Sequence, residues 1–212
     1  MWVPFFFIYL FNKIESMKLT HPFIYRCHNL DEIFKNVKTL SQFMKRLENQ
    51  SQLHPERYSI EKYLGDGWEF FCEALIKTHQ YDNRIGISNY EPVTKNDNGV
   101  DGYGVNLFGE VCAVQPKYRS NTKGLLTSEN DNLNSFITEA LLEKGIQPSE
   151  KYRHFIFTTA KGLHHYTDNE KFRGKVKCYG YDEIRLLVDN NIHFWNFIRK
   201  QIEEFKESLL SL

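Results

Sequence analysis

The chain has 212 residues, 41% of them hydrophobic and 15% aromatic, with 27 basic and 27 acidic side chains and a formal net charge of zero. That length buries a sizeable core, and 17 Phe and 12 Tyr argue for a packed interior over disorder. The balanced charge excludes a uniformly basic coat for non-specific nucleic-acid binding and leaves a local basic patch open.

The opening stretch, Met1 to Phe11, is apolar but too short to span a bilayer. It lacks the basic start and small-residue cleavage site of a signal peptide. Two readings stand: a segment docked on the core, or a dispensable extension (residues 1–16) ahead of Met17. From Asn29 to Gln50, Leu30, Ile33, Phe34, Val37, Leu40, Phe43, Met44 and Leu47 recur at three- and four-residue steps, which predicts one amphipathic helix. Ser51 to Leu64 is a polar connector containing Pro55, and Gly65-Asp66-Gly67 is expected to break the chain. These signals predict an N-terminal extension with a packing helix over 1–64 and an α/β domain over 65–212.

A helix is predicted over Trp68–His79, with Glu69 and Glu73 on one face, where both suit solvated surface charges. A strand follows within Arg84–Thr94, then a turn-rich loop over Lys95–Gly99. Val100 to Phe108 and the apolar run Val111 to Val114 read as two strands joined by Gly109-Glu110. In such a hairpin the start of the first strand lies beside the end of the second, so Asp101 should neighbour Gln115 and Lys117. Gln115 and Lys117 are two apart and share a face. A carboxylate, an amide oxygen and an ammonium converging there suit a divalent metal and a phosphate. Asp97, a loop aspartate, ranks behind Asp101 as the ligand.

Beyond Lys117 lie Arg119, Ser120, Asn121 and Lys123, which suit either phosphate contacts or an ordinary polar loop. A helix is predicted over Asn130–Lys144, ended by Gly145, and a strand over Tyr152–Thr159. His164, His165 and Asp168 form a second, weaker constellation. A short strand over Lys175–Tyr179 and helices over Tyr181–Val188 and Asn191–Leu212 complete the chain. The order of elements predicts an α/β fold with a mixed central sheet covered on both faces. Cys27, Cys72, Cys112 and Cys178 form no Cys-x-x-Cys pair, as expected of reduced thiols in a cytoplasmic protein. The sequence holds no Walker loop, dinucleotide fingerprint or nucleophile elbow.

Gly99-Val100-Asp101-Gly102, followed by a strand ending Val114-Gln115-Pro116-Lys117, resembles the Mrr-type restriction endonucleases of the PD-(D/E)xK nuclease superfamily. Their pattern is G-V-D followed by a strand bearing Q-x-K in place of the usual D/E-x-K. Trp68-Glu69 with Phe70, Phe71, Leu75 and Ile76 is similar to the family's first helix, and Phe155 to Ala160 to its fourth core strand. The resemblance runs from residue 65 to 190. Pro116 departs from a regular core strand because it lacks a ladder donor, and Gln115 brings no charge. The resemblance implies a restriction-endonuclease-like fold and a metal-dependent nuclease acting on DNA. Mg²⁺, or Mn²⁺ in its place, would be held by Asp101, Gln115 and the Pro116 carbonyl. Lys117 would act on the attacking water and Glu69 would complete the shell. No membrane partner is expected, and a homodimer is compatible. The alternative, prompted by neutral Gln115, Pro116 and zero net charge, is an inactive nuclease-fold protein that binds nucleic acid or a protein partner. A hydrolase of small molecules or RNA on the same scaffold is the third reading.

Overall fold

The computed structural model describes residues 17–27, 29–53, 58–93, 99–128, 130–164 and 175–211. In chain order the elements are α1 (Phe23–Arg26), α2 (Leu30–Phe34), α3 (Leu40–Ser51), α4 (Ile60–Thr78), β1 (Ile87–Pro92), β2 (Gly102–Asn106) and β3 (Val111–Lys117). Then come β4 (Leu125–Leu126), α5 (Leu133–Lys144), β5 (His154–Thr158), β6 (Gly162–Leu163), β7 (Val176–Tyr179), α6 (Tyr181–Val188) and α7 (Ile192–Leu210). Five strands form a mixed sheet in the order β1-β2-β3-β5-β7, and β4 pairs with β6 apart from it. β1, β2 and β3 run antiparallel to one another, while β3, β5 and β7 are parallel. The expected α/β fold with a mixed, helix-flanked sheet is thus what the chain adopts.

Strand alternation divides the interior into two layers. Cys112, Val114, Phe155 and Phe157 face α4 and the C-terminal helices, meeting Trp68, Phe71, Phe194 and Trp195 in one large cluster. Ala113 and Ile156 face the other way and pack on Phe136, Ile137 and Ala140 of α5. Trp68 also donates its indole N–H to the Phe157 carbonyl at 3.0 Å, which seats α4 across the sheet.

Two expected boundaries fall elsewhere. The apolar period over residues 29–50 belongs to two helices, because Asn36 takes a left-handed φ of 58° and Thr39 caps a fresh start by accepting from the Gln42 amide at 3.3 Å. Arg199 donates to the Val37 carbonyl at 3.2 Å, and Arg46 to the Lys35 carbonyl, so the interrupted backbone is not left unpaired. Conversely, Gly65-Asp66-Gly67 does not break the chain but lies inside α4, which Ser59 caps by accepting from Lys62. A side chain on Gly67 would meet a Leu47 methyl at 2.5 Å and the Phe23 ring at 3.2 Å. The glycine lets α4 approach its neighbours closely, and burial there offsets its helix penalty of about 1 kcal/mol. Because α1–α4 share one hydrophobic cluster with the sheet, the expected junction at residue 64 lies within a single helix of one core.

Pro116 is accommodated without interrupting β3. The Ala113 amide donates to the Arg153 carbonyl at 2.8 Å, and the Lys117 carbonyl accepts from Thr159 at 3.3 Å. Odd-numbered residues of β3 therefore bond to β5, and Pro116 presents its nitrogen and carbonyl toward β2. The β2 ladder ends at the Gly102–Val114 pair, so no donor is demanded of Pro116.

The segment before α1 is stitched to α4. Glu73, expected as a surface charge, is 1% exposed. Its carboxylate accepts from the Thr20 amide at 2.8 Å, the Thr20 hydroxyl at 2.9 Å, the His21 amide at 2.9 Å and the Lys77 ammonium at 2.7 Å. The Leu19 amide donates to Gln201 of α7 at 2.9 Å. The apolar stretch over residues 1–16 lies outside the described residues.

Glu73→Ala strands several buried donors, a loss of about 3–5 kcal/mol for breaking a buried pair; calorimetry should show a melting point lower by roughly 10 °C for a chain this long.

His154 is buried between the sheet and α5, edge-on to Phe136 with ring centroids 5.8 Å apart. Burial lowers its pKa from 6.5 to about 4, Arg153 adding to the shift and Glu150 opposing it. The unfolded chain takes up that proton near pH 6.5 and the folded chain near 4, so the stability in place above pH 6.5 declines as pH falls to 4. The decline attributable to this ring is about 3 kcal/mol. Denaturant titrations should show that slope between pH 6.5 and 4 flattened in His154→Leu.

Candidate functional site

At the open end of the β2–β3 hairpin the backbone of Asp101 lies beside Val114, the residue before Gln115. Asp101 precedes β2 by one residue, its amide donating to the Val114 carbonyl at 3.1 Å and its carbonyl accepting from Val93 at 2.9 Å. On one side of it Val100 packs with the α5 cluster, and on the other Gly102 lies against the Tyr90 ring of the α4 cluster. Asp101 therefore sits at the start of the first hairpin strand, where the chain crosses from one sheet face to the other. Burial pushes the Cys72 thiol and Tyr90 hydroxyl well up, and the carboxylates of Glu69 and Asp101 push both further. The charges of Glu69 on α4 and of Asp101 on the hairpin thus both act on Cys72 and Tyr90.

Gln115 and Lys117 share the α5 face of β3, as their spacing predicts. Gln115 is completely buried; its amide nitrogen donates to the Gly99 carbonyl, and its Oε1 has no hydrogen-bond partner among the described residues. Gly99 has φ +109°, and a side chain there would press on the Phe136 amide nitrogen at 3.1 Å. Only glycine fits between Gln115 and the first turn of α5. Lys117, Gly99, Asn132 and Ser135 line an open cleft of about 670 Å³ at that helix start. Asn132, left-handed at φ 52°, provides no side-chain cap. The cleft therefore sets a lysine and the positive end of a helix, which favour an anion, against the carboxylate of Glu139, which also lines it.

Glu69 is partly exposed and accepts a 2.9 Å hydrogen bond from His21, a residue the sequence reading passed over. The two are 48 positions apart, and no local pattern links them.

The residues after Lys117 divide. Arg119 is committed to the fold: its guanidinium donates to buried Asp131, with Nε at 2.7 Å, and to the Tyr118 carbonyl at 2.6 Å. Its backbone is locked to Thr159, whose hydroxyl accepts from the Arg119 amide at 2.6 Å and donates to the Arg119 carbonyl at 2.7 Å. Asn121 folds its own turn by accepting from the amides of Lys123 at 3.1 Å and Gly124 at 3.2 Å. Ser120 and Lys123 are exposed. The His164 amide donates to Leu126 at 2.9 Å, linking β6 to β4. His165, Asp168 and Asp97 lie outside the described residues.

Among the described residues no group of three or more His, Cys, Asp or Glu is arranged to hold a metal, and no helix is long and apolar enough to cross a membrane. Compared with known proteins, the chain matches no family model, no curated protein and no solved structure. Function is therefore read from the site itself.

Arg119→Gln leaves Asp131 buried without its cation, a loss of about 1–3 kcal/mol; thermal denaturation should register a melting point lower by several degrees. An Arg119 that served only phosphate contacts would leave the melting point unchanged.

Proposed function

We propose that this chain is a metal-dependent nuclease that hydrolyses DNA phosphodiester bonds. The observation that carries the reading is Gln115: a buried amide with its nitrogen tied down and its oxygen without a partner among the described residues. Leaving such an acceptor empty costs about 1–3 kcal/mol. The expense is understandable if the oxygen awaits a cation.

The donors around it are oxygens, which fits a hard ion such as Mg²⁺ or Mn²⁺ more than a soft one. Asp101 and Gln115 would hold the ion, with the Pro116 carbonyl, which points to the β2 edge where Asp101 lies, and Glu69 of α4 as further oxygen donors. Mg²⁺ sites commonly use one or two carboxylates and leave the remaining positions to water and substrate phosphate. When bound, the ion polarises the scissile phosphate and acidifies a coordinated water. Lys117, at the cleft wall, orients the attacking water and offsets negative charge gathering on the phosphorus oxygens in the transition state. The start of α5 supports the neighbouring phosphate of the same strand through its open amides. Of the two proposed hairpin ligands, Asp101 and Gln115, only Asp101 is anionic, so its loss should be felt in metal affinity first.

The decisive experiment combines calorimetry with Mg²⁺ or Mn²⁺ and cleavage assays on duplex, branched and single-stranded DNA. Asp101→Asn should lower metal affinity and cleavage together while DNA binding persists. Lys117→Ala should cut turnover by about 10²–10³, with metal affinity nearly unchanged. Gln115→Glu should tighten Mg²⁺ binding. A wild-type chain that binds neither ion and cleaves neither DNA nor RNA would sink the enzyme reading. In that outcome the neutral Gln115 marks a nuclease-like scaffold retained for binding.

A further inference from the structure

The pair His21–Glu69 extends this site beyond the residues that the nuclease reading calls on. His21 is 6% exposed, and its ring is held at both nitrogens. The Phe23 amide donates to Nδ1 at 3.2 Å, which leaves Nε2 to carry the ring proton. Nε2 lies 2.9 Å from Glu69 Oε2 and so donates to it. The backbone beneath the ring is fixed in turn, because the amides of Thr20 and His21 both end on Glu73.

Glu69 and Glu73 are one helical turn apart on α4. Glu73 clamps the main chain, and the main chain presents the imidazole to Glu69. One oxygen of Glu69 is thereby taken; Oε1 makes no hydrogen bond among the described residues, and the side chain remains 28% exposed. A surface glutamate has several rotamers of similar energy. This one has a fixed donor at one oxygen and a partly exposed side chain, and its charge, like that of Asp101, acts on Cys72 and Tyr90.

We propose that His21 is a positioning residue for the metal site: it donates through Nε2 to Glu69 and holds that carboxylate ready for the ion or for a water bound to it. This inference rests on the nuclease reading. The imidazole acts as an outer partner to a carboxylate ligand, a role whose loss typically weakens metal binding about 10- to 100-fold.

The test uses the full chain, with Mn²⁺ affinity read by calorimetry, cleavage rate measured in parallel and folding checked by circular dichroism. His21→Phe keeps a ring but removes the donor, and should weaken Mn²⁺ about tenfold. His21→Gln, whose amide reaches nearly as far as Nε2 and donates likewise, should restore most of the affinity. In a Glu69→Ala background His21→Phe should change Mn²⁺ affinity less than about twofold, since coupled residues are not additive. A purely structural histidine would weaken binding equally in both backgrounds, and that result would overturn the inference.

A measurement on the unsubstituted protein covers the case in which His21→Phe fails to fold. Nitrogen NMR of the imidazole should show the Nε2–H tautomer, and added Mg²⁺ should shift the His21 resonances with the same saturation seen by calorimetry. If Mg²⁺ binds and Asp101→Asn abolishes binding, yet the His21 resonances stay still, this inference fails alone. If wild type binds no divalent ion, the nuclease reading has failed beneath it.

Discussion

Glu73 holds a full carboxylate in the middle of α4, almost sealed from water, and much of the molecule is arranged around satisfying it. Burying an ionised carboxylate costs several kcal/mol unless donors fill its oxygens. Here two backbone amides, a hydroxyl and the Lys77 ammonium do so. Lys77 passes the link on by donating to the Lys18 carbonyl at 2.7 Å, and the neighbouring Leu19 amide reaches Gln201 on α7. Lys18 to His21 are thereby tied to α4 and α7 through this group and its neighbours. The same clamp sets the height and direction of the His21 ring, and through it the carboxylate of Glu69. Stability and candidate chemistry thus share one helix face, with Glu73 serving the first and Glu69 proposed for the second.

The site lies where the antiparallel half of the sheet stops and the parallel half continues. β2 begins at Gly102, opposite Val114, while β3 runs on past it to Lys117 alongside β5. The carboxyl ends of parallel strands commonly border ligand crevices, because the connections leave the sheet there in different directions. In this chain Pro116 occupies the uncovered step, Gln115 turns inward behind Gly99, and α5 starts directly above.

Regular elements were legible wherever local chemistry and tertiary packing agree. The apolar run after Val111, the Gly145 stop and the stripe of Phe194, Trp195, Ile198 and Ile202 follow from spacing alone, and each has the expected structure. The misplaced boundaries are instructive because two residues reverse their usual local meaning. Asn36 interrupts a faultless helical period, since Phe34 of α2, Val37 of the connection and Leu40 of α3 all reach the same core. Gly67 continues a helix that its composition argues against, since a neighbouring Leu47 needs the space of its absent side chain.

The sequence by itself determined the α/β alternation, the mixed sheet and the shared face of Gln115 and Lys117, because these depend on periods of 3.6 and 2 and on residues a few positions apart. Only the tertiary structure decided which polar side chains are spent on the fold and which are left over. Glu69 and Glu73 look equivalent at a spacing of four; one is consumed by Thr20 and His21, the other receives a single oriented hydrogen bond. Arg119 and Lys117 are equally basic neighbours; Asp131 claims the first, and the second lines the cleft. Gln115 carries no local sign that its nitrogen finds Gly99 while its oxygen remains unpaired among the described residues. Hydrogen-bond partners separated by dozens of residues meet only when the core brings them together, and no pattern along the chain records those meetings.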